Sequence, residues 1–70
     1  MKRVAFRFDM YELKVVVEDD TAILVSIAFK EFLDGDSFSA YFEVTDIPSG
    51  EFVNINFSKV NSIHTNPENG

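Results

Sequence analysis

One histidine, no cysteine and twelve carboxylates set the chemistry open to this 70-residue chain. His64 sits where the last apolar alternation ends, a place that suits a strand-end surface residue better than a general base. Without cysteine there is neither a thiolate nucleophile nor a thiolate zinc site. No serine stands in a Gly-x-Ser-x-Gly turn, and three glycines build no phosphate-cradling loop. Two groups of hard oxygen ligands stand out, Glu18-Asp19-Asp20 and Asp34-Gly35-Asp36-Ser37. Neither has the spacing or closing glutamate of a calcium loop, and Asp and Gly at such places make turns. The sequence therefore points away from an enzyme, with no catalytic residue, no cofactor and no metal site.

Binding is the remaining chemistry. The formal charge is −6, from twelve acidic against six basic residues. That balance opposes direct nucleic-acid binding, which needs cationic side chains on phosphates, and fits a basic protein partner. Glu18, Asp19, Asp20, Asp34, Asp36, Asp46 and Glu51 all fall in predicted turns. Such carboxylates can simply keep a protein soluble, or they can imitate a phosphate backbone and occupy a basic channel of another protein. Val16, Leu24, Ala28, Tyr41 and Phe52 lie off the predicted core face, with Phe32 near a hairpin tip and Glu12, Glu31 and Glu43 at the rim. Singly exposed apolar residues are common, but a group of them forms a contact surface. The candidate protein-binding residues are Glu18, Asp19, Asp20, Leu24, Phe32, Asp34, Asp36, Tyr41, Glu43 and Phe52.

Two classes of function follow. One is a small acidic binding protein that inhibits or regulates a larger protein, in the manner of phage anti-defence, immunity or antitoxin proteins, although no motif assigns it to any of these. The other is a structural or assembly protein that forms a homo-oligomer through its outer apolar face.

The elements that must position these residues read mostly as strands. Lys2 to Phe8 alternates, with Val4, Phe6 and Phe8 on one face and Arg3, Ala5 and Arg7 on the other. The parity changes after Asp9-Met10, through either a two-residue hairpin or a β-bulge. The hairpin is favoured, and it sets Phe6 against Leu13, Val4 against Val15 and Arg7 against Glu12. A turn at Asp19-Asp20-Thr21 would then set Val17 against Ile23 and Val15 against Val25. Ala22 to Thr45 reads as two strands folded at Asp34-Gly35, pairing Glu31 with Phe38, Phe29 with Ala40, Ile27 with Phe42 and Val25 with Val44. A rival reading makes Ala22 to Asp34 a helix, capped by Thr21 and stopped by Gly35. That helix would leave Ile23 and Ile27 among polar residues, and the stretch is rich in β-branched residues, so the strand reading is favoured. After a loop at Asp46–Gly50, Val53, Ile55 and Phe57 can face Val44, Phe42 and Ala40. A turn near Lys59-Val60 leads to a terminal strand, Asn61 to His64.

The predicted fold is all-β: a single domain over residues 1–64, an antiparallel meander of five to six strands curled into a small barrel. It is SH3-like or OB-like in general architecture only. Residues 65–70 carry no apolar side chain and are expected to fray. No apolar run approaches the roughly 20 residues of a membrane span, and Met1-Lys2-Arg3 leads into an alternating strand and not a signal-peptide core. The expected setting is cytoplasmic, with no membrane partner. A chain this short buries only about 60% of its unfolded surface, so self-association would add useful burial.

Overall fold

Alternation in the first strand and its neighbour builds the first part of the molecule. The computed structural model describes residues 1–36 and 39–67. β1 (Lys2–Arg7) and β2 (Glu12–Val17) form a hairpin whose register pairs Val4 with Val15, Phe6 with Leu13 and Arg7 with Glu12. The Phe8 N–H donates to the Tyr11 carbonyl at 2.9 Å, so Asp9-Met10 is a two-residue turn and not a bulge. The Phe8 and Tyr11 rings stack across it with centroids 4.6 Å apart.

The next stretch departs from the favoured reading. Asp19–Leu33 is a helix, α1, so the predicted turn at Asp19-Asp20-Thr21 is its first turn, and the strand pairings expected for Ala22 to Leu33 are not made. The expected partner of Glu31, Phe38, lies outside the described residues, as does Ser37 of the Asp34–Ser37 group. Ala22, Val25, Phe29 and Phe32 recur at intervals of three and four and put one stripe of α1 against the core. Burying such side chains is worth about 1.5–3 kcal/mol each, while a β-branched residue costs a helix less than about 1 kcal/mol, so packing overrides propensity.

Both ends of α1 have physical causes. Glu18, not Thr21, holds the N-cap position, and Asp19 and Asp20 place negative charge at the positive end of the helix dipole. At the other end Gly35 takes φ +80°, its N–H donates to the Phe32 carbonyl at 3.1 Å, and the Asp36 N–H donates to the Glu31 carbonyl at 2.9 Å. This is a Schellman stop, which needs a left-handed residue where glycine stands.

β3 (Tyr41–Asp46) and β4 (Glu51–Asn56) form a second hairpin, pairing Val44 with Val53 and Phe42 with Ile55. The Phe57 N–H reaches the Ala40 carbonyl at 2.6 Å and extends that register. A 3-10 turn over Phe57–Lys59 leads to β5 (Ser62–Pro67), which returns beside β1 and pairs Phe6 with Ile63 and Val4 with Thr65. The pairing thus runs to Pro67, into the stretch expected to fray, while Glu68 to Gly70 lie outside the described residues.

The result is mostly β, with two antiparallel sheets, β2-β1-β5 and β3-β4, and one helix. No closed barrel is found among the described residues. The helix takes up the length that would have supplied further strands, and its inner stripe covers the apolar faces of the sheets. Two bonds join the sheets where β2 and β3 end: Val16 donates its N–H to Asp46 Oδ1 at 2.9 Å, and its carbonyl accepts the Ile47 N–H at 2.9 Å. Phe57 is at the centre of the core, 5.4 Å from Phe29, 6.0 Å from Phe32 and 5.9 Å from Phe42 between ring centroids. Val4, Phe6, Val15, Val17 and Ile55 belong to the same buried cluster.

Candidate functional site

The outer face of α1 begins with its spacing. Asp20, Leu24, Ile27, Glu31 and Asp34 follow one another at four, three, four and three residues, and all are exposed. Residues at those intervals share one helix face. Ile23 widens the middle of the stripe, and Ile23 and Leu24 keep 58% and 56% of their surface exposed. The stripe is therefore apolar in the middle and acidic at both ends. From Asp20 to Asp34 it runs about 21 Å at the helical rise per residue.

Ile23 and Ile27 also form one wall of a groove of about 360 Å³, with Ala22 at its base. Lys2 and Thr65, on β1 and β5, make the opposite wall. Among the described residues β5 pairs only with β1 in its sheet, and Thr65 brings β5 to this groove.

The residues singled out from the sequence do not gather in one place. Glu18, Asp19 and Asp20 stand at the start of α1, where Asp19 holds the Met1 ammonium at 3.0 Å. Asp34 and Asp36 stand past its end, about 22 Å away for a helix of 15 residues. Leu24 lies on the outer stripe. Phe32 is turned inward onto Phe57 and belongs to the core, because the helical turn, not a hairpin tip, sets its direction. Tyr41 and Glu43 project from the exposed face of β3, and Phe52 from β4 is 74% exposed. Tyr41 lies opposite Asn56 and Phe52 opposite Thr45, which separates the two rings by about 13 Å along the strands.

Two carboxylates titrate below their usual range, each for a structural reason. The Val16 N–H, with the Ser49 hydroxyl at 2.7 Å on the other oxygen, holds the Asp46 carboxyl down against the opposing effect of burial. Arg7 does the same for Glu12, donating from Nε at 3.1 Å, and Lys14 adds its charge from 3.6 Å. His64 is exposed, its Nε2 3.2 Å from the Ser62 hydroxyl. Among the described residues no three His, Asp or Glu side chains come together as metal ligands, and no helix is long and apolar enough to cross a membrane.

Comparison with family models, curated proteins and solved structures finds no match. Sequence reasoning missed Ile23 and Ile27 as surface residues. The signal was available in the helical wheel, which puts both beside Ser26, Lys30 and Asp34.

Proposed function

We propose that this chain is a small acidic binding protein that inhibits or regulates a larger protein by laying the outer stripe of α1 into a groove of its target. The observation that carries the reading is the order of residues on that stripe: Asp20, then Ile23, Leu24 and Ile27, then Glu31 and Asp34, all exposed. An amphipathic helix docks through anchors at such intervals, and its charged ends select a groove with basic residues at both ends. A net charge of −6 would speed the encounter with such a target and make it sensitive to salt.

The test uses the tagged full chain. A target captured by the wild type, released by salt, lost with Leu24→Ser plus Ile27→Ser and weakened by Asp20→Asn plus Glu31→Gln would support the reading. Equal capture of that target by the Leu24→Ser, Ile27→Ser chain would overturn it.

A second reading rests on the groove beside β5. A second copy adding its own β5 edge would extend the three-stranded sheet and cover Ile23 and Ile27. It predicts a dimer mass at micromolar concentration that falls to a monomer with Ile23→Ser. A monomer under the same conditions removes this reading and leaves the first intact.

A further inference from the structure

The negative charge of the chain is concentrated in one part of it. Residues 31–58 contain six carboxylates, Glu31, Asp34, Asp36, Glu43, Asp46 and Glu51, and no Lys, Arg or His. That stretch carries the whole formal charge of −6, while the other six acids balance the six Lys and Arg residues. The cations stand on β1, β2, α1 and the 3-10 turn, and the β3-β4 hairpin has none.

Register decides what this hairpin shows to solvent. Phe42, Val44, Val53 and Ile55 pack inward, so Tyr41, Glu43 and Thr45 on β3 and Phe52 and Asn54 on β4 project from the other face. The face has three levels, spaced about 7 Å apart along the strands. Phe52 stands beside Thr45 at the first, Glu43 beside Asn54 at the second and Tyr41 beside Asn56 at the third. The two rings are at the ends, with Phe52 74% and Tyr41 60% exposed. The Glu43 carboxylate is between them, exposed and, among the described residues, in no ion pair.

A ring face attracts a cation through its quadrupole, and a carboxylate attracts one directly. Three such groups at intervals of about 7 Å match an extended chain, whose alternate side chains recur at the same interval. We propose that the outer face of β3-β4 docks an extended basic segment of another protein, with Lys or Arg at three alternate positions over Phe52, Glu43 and Tyr41. Arg suits both ends, because its planar guanidinium stacks on a ring. Charge complementarity selects this occupant. A nucleic acid or an anionic membrane would be repelled by a stretch of −6, and a neutral apolar partner would bury Glu43 without a cation. This inference does not rest on the helix stripe, since α1 contributes no residue to this face.

The test is a titration of the isotope-labelled full chain with two synthetic peptides, followed by amide shifts at constant ionic strength. Both peptides have the same length and the same number of Arg residues among Thr. One places Arg at alternate positions, and the other at every third position, which turns successive Arg side chains to opposite sides. The alternating peptide should give saturating shifts centred on Glu43, Thr45 and Asn54 and bind about threefold or more tighter than the other. Phe52→Ala and Tyr41→Ala should each weaken it about two- to fivefold, and Glu43→Gln by a similar factor. Glu43→Gln keeps the size of an exposed side chain and serves alone if an alanine variant does not fold. Equal affinity for the two peptides would mean attraction to net charge alone and overturns the proposal. So do shifts centred on α1, shifts that fail to saturate by about 10 mM, or unchanged binding by Glu43→Gln.

Discussion

Val4 and Phe6 point from β1 into the core and are 1% and 0% exposed, while Arg3 and Arg7 on the same strand point out beside Lys14. The two faces of one strand have different tasks. The inner face excludes water, so each side chain there is fixed by volume. The outer face holds charges at set spacings and contributes little to folding. Because side chains alternate with a period of two, adjacent residues belong to different tasks, and a substitution can be aimed at either one.

The sharpest contrast is between neighbours on β2. Val15→Lys places an ammonium at a position 2% exposed, a penalty of several kcal/mol against a total stability of about 5–15 kcal/mol, and should unfold most of the chain by circular dichroism. Phe6→Ala should cost about 3–5 kcal/mol in urea denaturation, and a cost below about 1 kcal/mol would remove Phe6 from the centre of the core. Asp46→Asn comes next, weakening the join between the sheets. The native carboxyl of Asp46 titrates below its unfolded value, so its contribution is complete above the ordinary aspartate range and fades as the pH falls through the folded value. Urea midpoints from neutral pH downward should drop for the wild type and drop less for Asp46→Asn. Glu12 adds a loss of the same sign in acid, from the outer face. The smallest effect belongs to Lys14→Val, which should change stability by no more than about 0.5 kcal/mol in the same urea denaturation, since Lys14 is exposed.

Where the sequence permits only one period, the fold could be read from it. Lys2 to Phe8 alternates, and a two-residue turn leaves one register, so the pairs Phe6–Leu13, Val4–Val15 and Arg7–Glu12 follow. Val44–Val53 and Phe42–Ile55 follow in the same way, and so does a last strand returning to β1. Ala22 to Phe29 is apolar at nearly every position, so periods of 2 and 3.6 both fit it, and Gly35 stops a helix as readily as it turns a hairpin. The choice depends on what surrounds the stretch. The gap between two short hairpins accepts a helix with a stripe of Val and Phe, and leaves Ile23 and Ile27 outside. Of the surface, Leu24 was legible as lying off the core, whereas the meeting of Lys14 and His64 on either side of Ala5 required the pairing of β5 with β1, which only the register supplies.

The pairing of β5 with β1 also orders events in time. β1 precedes β2 by a two-residue turn and can zip with it within microseconds, since their contacts are local. Its other edge must wait for β5, more than fifty residues later in the chain, so Val4 and Phe6 stay paired on one side only until Ser62–Pro67 has been made. Until β5 arrives, that open edge presents unpaired N–H and C=O groups that a strand from another chain can take, so the closing of Ser62–Pro67 onto β1 also guards against mispairing.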